Sequence, residues 1–109
     1  MIVAILSKTS DVESLLNSLS EADFDMQDVS VIMQDLATRS KIAPDAGPLK
    51  GVQPAHISPA LLEAGLTKDA AKRCKEALGA GKIVVAMKVD PKYEAAARES
   101  FKDVSAELV

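Results

Sequence analysis

Four consecutive polar side chains are the best candidates for anion binding in this sequence: Thr38, Arg39, Ser40 and Lys41. They bring two cations and two hydroxyls together shortly after an apolar run that ends at Met33. Proteins of the α/β class often bind ligands beyond the ends of their strands. No phosphate-binding motif accompanies these residues, because Gly47 and Gly51 fit neither the P-loop nor the dinucleotide-binding pattern. The competing interpretation is a charged surface loop without a ligand.

His56 and Cys74 are the only histidine and the only cysteine, and neither indicates catalysis. His56 is a weak ligand-binding or acid–base candidate, but no nucleophile or orienting carboxylate stands near it at motif spacing. Cys74 lies on the apolar side of a helical pattern, where a free cysteine is typically a buried hydrophobic residue. One histidine and one cysteine do not make a zinc site. We therefore predict a non-enzymatic protein without metal or cofactor.

Length and composition exclude several classes of protein. A chain of 109 residues has the size of one domain, and its net charge of −3 gives no general attraction to nucleic acid. The apolar run at residues 1–6 is too short to cross a membrane and lacks the basic start of a signal peptide. A single cysteine cannot form an intrachain disulfide. The predictions are no nucleic-acid partner, no membrane and a cytoplasmic location.

Apolar periodicity predicts the elements that position these residues. Three strands are expected, at Ile2–Leu6, Val29–Met33 and Lys82–Val89. Helices are expected to begin at a Ser10–Glu13 capping box, at Ser58–Pro59, at Thr67 and at Asp90–Pro91. The last helix should place Tyr93, Ala97, Phe101, Val104 and Leu108 on one side. Between the second strand and the second helix, residues 34–57 contain three prolines and two glycines and are predicted to be irregular.

The order β-α-β, irregular segment, α-α-β-α predicts an α+β ferredoxin-like fold, with helices mainly on one side of a small mixed sheet. That fold needs a fourth strand, for which Leu49–Val52 is a weak candidate. The alternative is a three-stranded parallel α/β sheet. In either fold Ile32, Val84 and Ala86 line a second, apolar sheet face. Either the terminal helix or a second subunit could cover it, and we predict a homo-oligomer, a dimer in the simplest case.

Two segments resemble the small bacterial general-stress or heat-induced stress proteins. The run SLSEADFDMQDVSVIMQD, residues 18–35, resembles the helix end, strand and acidic continuation of that family. The run AGLTKDAAKRCKEALGAGKIVVAMKV, residues 64–89, is similar to its later helix–strand unit. The pair Thr38–Arg39 also resembles an element that often follows the family's second strand. Residues 1–37 and 58–90 carry the resemblance, which implies a stress-associated, non-enzymatic domain and assigns no catalytic residue.

The sequence departs from that family at two places. Many of its members have a long insert rich in glycine and alanine where this chain has a short, polar segment with prolines. The family also commonly has glycine at the turn where this chain has Ala22 and Asp23. The first prediction of function is a self-associating interaction or adaptor domain that presents residues 34–57 to a protein partner. The alternative is a ligand-sensing regulatory domain, with Arg39 and Lys41 binding a small anion or nucleotide at an inter-subunit cleft.

Overall fold

A computed structural model describes all 109 residues, and its centre is a four-stranded sheet. The strands are β1 (Ile2–Leu6), β2 (Val29–Ile32), β3 (Ile83–Met87) and β4 (Glu107–Leu108). Their order across the sheet is β2-β3-β1-β4, and every neighbouring pair is antiparallel. This arrangement is an α+β, ferredoxin-like fold, as predicted. The expected mixed sheet and the three-stranded parallel alternative are both wrong, because β3 runs antiparallel between β2 and β1.

Five helices accompany the sheet: α1 (Thr9–Glu21), α2 (Leu36–Ile42), α3 (Ile57–Glu63), α4 (Lys68–Gly79) and α5 (Glu94–Asp103). Single 3₁₀ turns lie at Met26–Asp28, Pro54–His56 and Pro91–Tyr93. The prediction that Thr67 caps a helix is confirmed, because its hydroxyl accepts a hydrogen bond from the Ala70 N–H at 3.1 Å. The capping box at Ser10 is wrong, because α1 begins one residue earlier and its N-cap Lys8 makes no side-chain cap.

The first core lies between one face of the sheet and the helices α1 and α5. Alternate strand residues point into it, as the alternation of the second and third strands predicts. Its strand residues are Ile2, Ala4, Leu6, Val29, Val31, Ile83, Val85 and Met87. Its helix residues are Val12, Leu15, Leu19, Ala97 and Phe101. Because α1 and α5 each present one apolar stripe, both can pack on the same sheet face.

The second core covers the opposite face of the sheet with α3 and α4. Its strand residues are Val3, Ile5, Ile32, Val84 and Ala86. They pack on Leu49, Ile57, Leu61, Ala71, Cys74, Ala77 and Leu78. Helices therefore lie on both sides of the sheet, and the expectation of helices mainly on one side is wrong. The reason for predicting a homo-oligomer also does not hold, because this face is already covered within the chain; the oligomeric state itself stays a prediction.

The fourth strand comes from the end of the chain. β4 pairs with β1, with Ile5 opposite Glu107, and the Val109 N–H donates to the Val3 carbonyl at 2.9 Å. Leu108 therefore belongs to a strand and not to the last helix, which ends at Asp103. Leu49–Val52, the weak candidate, forms a turn instead. No helix of the structure combines the length and the apolar character that crossing a membrane requires.

Candidate functional site

Residues 34–57 begin with a helix that lies beside β2. The N-cap of α2 is Asp35, whose carboxylate accepts hydrogen bonds from the Thr38 N–H at 3.1 Å and the Thr38 hydroxyl at 2.7 Å. α2 runs back along the open edge of β2, because Leu36 shares a cavity with Met33 while Ala43 lines a groove with Val29. The prediction of an irregular segment is therefore wrong for its first third.

The next residues, 43–53, form an irregular stretch that we call the edge strap. Ala43 belongs to the first core and Leu49 to the second, so the chain passes from one sheet face to the other around the edge strand β2. An uncovered edge strand offers its backbone to other chains, and a covering loop prevents this. The edge strap thus closes the β2 side of the sheet.

Ser30 fastens the edge strap to the sheet. Its hydroxyl donates to the Ala46 carbonyl at 2.6 Å and accepts from the Leu49 N–H at 2.8 Å. Between these two contacts Gly47 lies on the backbone of β2, with φ at +81°. A Cβ at Gly47 would stand 2.6 Å from the Ser30 nitrogen and 2.6 Å from the Val29 carbonyl carbon. Only glycine fits this close approach.

A small cavity of about 60 Å³ lies where the end of β2, α2 and the edge strap meet. Small-molecule sites usually measure roughly 300 to 1,000 Å³, so this cavity has room for only a few water molecules or the end of one side chain. Its lining is partly apolar and partly polar, and it includes Met33, Leu36, Arg39, Asp45, Gly51, Val52, Gln53 and Pro54. Leu36 is 48% exposed although it is a large apolar residue.

Arg39 is the only cationic residue that lines this cavity. Its side chain is 19% exposed, whereas those of Arg73 and Arg98 are 46% and 42% exposed. Arg73 is paired closely with Glu107, and Arg98 lies 3.5 Å from Glu94. The nearest carboxylate oxygen to Arg39 is Oδ1 of Asp45, at 4.0 Å from Nη1. The arginine with the most buried side chain therefore has the loosest ionic partner.

Asp45 has a structural role of its own. Its Oδ1 accepts a hydrogen bond from the Gly51 N–H at 3.0 Å, which closes the edge strap on itself. Because that oxygen is held by Gly51, the carboxylate stays near Arg39 without forming the short, two-point pair that arginine and carboxylates make at their best. Every fully buried side-chain nitrogen or oxygen has a hydrogen-bond partner, so the unpaired Arg39 nitrogens are those that water can reach.

The four predicted anion-binding residues lie on α2 and not in a loop, and they do not converge. The Thr38 hydroxyl is used by Asp35, and the Ser40 hydroxyl donates to the Leu36 carbonyl at 2.9 Å. Positions 39 and 41 point to different sides of a helix. Lys41 accordingly lines a separate surface groove beside α1.

His56 is exposed at the junction of a 3₁₀ turn and α3, and it does not line the Arg39 cavity. Of the five candidate residues, only Arg39 faces the cavity. Its partners Leu36, Asp45 and Val52 were missed because nothing in their spacing marks them. The start of α2 did have a signal, since Asp35 is followed three residues later by a hydroxyl side chain.

Two titratable groups have shifted pKa values, and neither indicates catalysis. The Thr38 hydroxyl and then its backbone N–H donate to Asp35 and hold the pKa of that carboxyl below its ordinary value. Burial raises the pKa of the Cys74 thiol, which makes it less reactive. No group of three or more histidine, cysteine, aspartate or glutamate side chains could hold a metal ion.

No protein-family model, curated protein or solved structure matches this chain. The resemblance to the stress-protein family therefore stays a prediction. Asp23, at a position where that family commonly has glycine, adopts a left-handed conformation with φ at +66°.

Proposed function

We propose that this protein is a non-enzymatic interaction domain that binds a protein partner with the surface formed by α2 and the edge strap. One observation carries the proposal: the backbone of this surface is fixed, while an apolar and a cationic side chain on it lack close partners within the chain. Ser30 and Gly47 hold the strap on the sheet, yet Leu36 stays 48% exposed beside a guanidinium with a loose partner. Rigid presentation of an apolar and a cationic group suits protein recognition. The stress association that the resemblance implies belongs to the same proposal.

The test compares matched surface variants of the full chain. Leu36→Ser alters the proposed surface, while Tyr93→Ser removes a similarly exposed aromatic side chain (52%) next to α5. Proteins captured from the source cell by the immobilised chain are identified by mass spectrometry. A partner should be captured by the wild type and by Tyr93→Ser, and lost with Leu36→Ser. Equal capture by all three proteins would contradict the proposal.

Self-association is a separate part of the proposal and uses the opposite edge of the sheet, which is formed by β4. β4 is an edge strand, and Glu107 is exposed while Leu108 is half-buried. A second copy could pair with this free edge and extend the sheet, as strands do in β-augmentation. Light scattering at micromolar concentration should give twice the 11.5 kDa mass of one chain. A mass of one chain would contradict self-association.

The Arg39 cavity also favours a second candidate function, a sensor of a small anion. Its volume of about 60 Å³ suits an anion of a few atoms and is too small for a nucleotide within one chain. A thermal-shift screen of nucleotides, phosphorylated metabolites and amino acids separates the two functions. A ligand at about one hundred times its Kd should raise Tm by several degrees. A screen without any such shift favours the interaction domain.

A further inference from the structure

The guanidinium of Arg39 has hydrogen-bond donors that the chain does not use. Its side chain is four-fifths buried, and Asp45 at 4.0 Å is beyond hydrogen-bond distance. A planar guanidinium matches the two oxygens of a carboxylate, and such charge-assisted bonds are stronger than neutral ones. The donors face a cavity that an acceptor can enter from outside. Arg39 therefore has donors free to bind an ionised oxygen ligand in addition to its loose ion pair with Asp45.

The size of the cavity limits what can bring that oxygen. A volume of about 60 Å³ admits the end of a side chain but not a peptide backbone or a nucleobase. Leu36, Val52 and Pro54 give the cavity an apolar rim, against which the methylene groups of an acidic side chain can pack. Aspartate and glutamate have this combination of short apolar stem and terminal carboxylate.

Asp45 makes the site favour a ligand whose negative charge lies at one end. Its carboxylate lines the same cavity, so a ligand anion is attracted by Arg39 and repelled by Asp45. A carboxylate with one charge can bind Arg39 while staying away from Asp45. A phosphate has charged oxygens on every side, so some of its charge must lie next to Asp45 when it binds Arg39.

We infer that the Arg39 cavity is a carboxylate site that receives an aspartate or glutamate side chain of the protein partner. This inference rests on the proposed function and names the chemistry of its contact. Leu36 contacts the partner beside the carboxylate, Arg39 binds the carboxylate, and Asp45 disfavours anions that carry charge on every side.

The test uses propionate, which has the carboxylate and methylene of a glutamate side chain. Amide spectra of the ¹⁵N-labelled full chain are recorded during titration with propionate, propionamide or phosphate at constant ionic strength. Propionate should shift the amides of Gly51 and Gln53 with saturation in the millimolar range, and the uncharged propionamide should not. Arg39→Gln should raise the Kd for propionate at least about tenfold. Lys41→Gln removes a charge from another side of α2 and should change the Kd less than about twofold.

Several results would overturn the inference: no saturable shift with propionate, the same Kd in Arg39→Gln, or phosphate binding as tightly as propionate. If Arg39→Gln does not fold, Asp45→Asn replaces it, and this variant should bind propionate more tightly because a repelling charge is gone. Unchanged or weaker binding would count against the site.

The two proposals fail in different ways. If Leu36→Ser loses partner capture but the wild type does not bind propionate, the interaction domain is supported and the carboxylate site is contradicted. If propionate binding depends on Arg39 but Leu36→Ser still captures the partner, the carboxylate site is supported and the proposed partner surface is contradicted.

Discussion

The hydroxyl of Ser30 makes two hydrogen bonds that join β2 to the edge strap. Ser30 is 1% exposed, and it bonds both the Ala46 carbonyl and the Leu49 N–H. An alanine there would leave two buried backbone groups without partners. Each such group lowers the free energy of unfolding by about 1–3 kcal/mol, and less where the structure can relax. We expect Ser30→Ala to lower the free energy of unfolding by about 2 kcal/mol, as measured by urea denaturation.

Ser40→Ala is the control for Ser30. The Ser40 hydroxyl is exposed and bonds only the Leu36 carbonyl one turn before it, so its removal should change stability by less than about 0.5 kcal/mol. A similar small loss in Ser30→Ala would mean that the edge strap is held by other contacts.

Asp23 ends α1 in a conformation that favours glycine. The Phe24 N–H donates to the Leu19 carbonyl and the Asp23 N–H to the Ser20 carbonyl, which is the Schellman arrangement of a helix end. The left-handed φ of +66° costs an L-residue roughly 1–2 kcal/mol, partly offset by the greater freedom of glycine in the unfolded chain. Asp23→Gly should therefore raise the free energy of unfolding by about 0.5–1 kcal/mol.

The neighbouring Ala22 provides the matched control, because its φ is −85° and glycine gains nothing there. Ala22→Gly should lower stability by roughly 0.5–1 kcal/mol in the same urea experiment. If both variants lose stability, the strain assigned to Asp23 is absent.

The Asp35 carboxylate gives the cap of α2 a pH dependence at acid pH. Its folded-state pKa is lowered by Thr38, so the cap stabilises the fold fully above the unfolded pKa of about 3.9. That contribution is lost as the pH falls from there through the lower folded pKa. Thr38→Val removes the hydroxyl, and the pKa of Asp35 measured by ¹³C NMR titration should rise towards its ordinary value. Ser40→Ala should leave it unchanged; an equal rise in both variants would exclude the Thr38 hydroxyl as the cause.

At the scale of elements, substitutions at Gly47 and Gly51 distinguish the cost of close packing in the edge strap from the cost of backbone strain. Both have a left-handed φ, +81° and +77°, but a Cβ meets the backbone of β2 only at Gly47 and nothing within 4 Å at Gly51. Gly51→Ala should cost only the strain, about 1–2 kcal/mol. Gly47→Ala adds a clash with rigid strand backbone, and we expect a loss of about 3 kcal/mol or more.

Hydrogen exchange locates the damage that these two substitutions cause. The Leu49 N–H is held by Ser30 and should exchange much faster in Gly47→Ala, because the edge strap can no longer lie on β2. In Gly51→Ala it should stay protected. Loss of protection in both variants to the same degree would contradict the specific fit of Gly47.

The strands and their faces followed from the sequence where local pattern decides the structure. The alternation of Ile83, Val85 and Met87 with Val84 and Ala86 predicts two buried faces, and the structure confirms both. β4 could not be predicted in this way, because its two residues have no periodicity and the strand exists only through pairing with β1. Apolar periodicity does not reveal α2, because none of its residues is buried.

The cavity was only partly predictable. The sequence indicates Arg39 by its charge and its place after a strand, and Arg39 does line the cavity. The sequence does not distinguish Arg39 from the three polar residues beside it. In the structure the hydroxyls of Thr38 and Ser40 bond within α2 and its cap, and Lys41 lies on another side of the helix. Asp45 and Val52 reach the cavity through the path of the edge strap, which depends on tertiary contacts with Ser30.

At the scale of the whole molecule, one sheet separates two cores of different construction. The α1–α5 layer follows the strand–helix–strand connections of the ferredoxin-like fold. The α3–α4 layer and the edge strap instead belong to the long connection between β2 and β3, and they contribute no strand to the sheet. Detachment of the α3–α4 layer would leave all four strands and the first core in place. We therefore expect the second layer to open more readily than the whole protein unfolds.

Cys74 reports on that opening. Its side chain is 0% exposed in the second core, and burial raises the pKa of its thiol, so a disulfide reagent should label it only when the second layer opens. Leu49→Ala weakens the contact between the edge strap and this core, at a cost of about 2–5 kcal/mol. Labelling should then accelerate at least about tenfold under native conditions, since about 1.4 kcal/mol corresponds to a factor of ten.

Leu15→Ala is the control that separates local opening from global unfolding. Leu15 is as deeply buried as Leu49 but lies on α1 in the first core, so its truncation lowers global stability by a similar amount without loosening the α3–α4 layer. Labelling of Cys74 should be nearly unchanged in Leu15→Ala and strongly accelerated in Leu49→Ala, while exchange of the β3 amides stays slow in Leu49→Ala. Equal acceleration in both variants would mean that Cys74 is reached only through complete unfolding, and that the sheet and its two helical layers form a single cooperative unit.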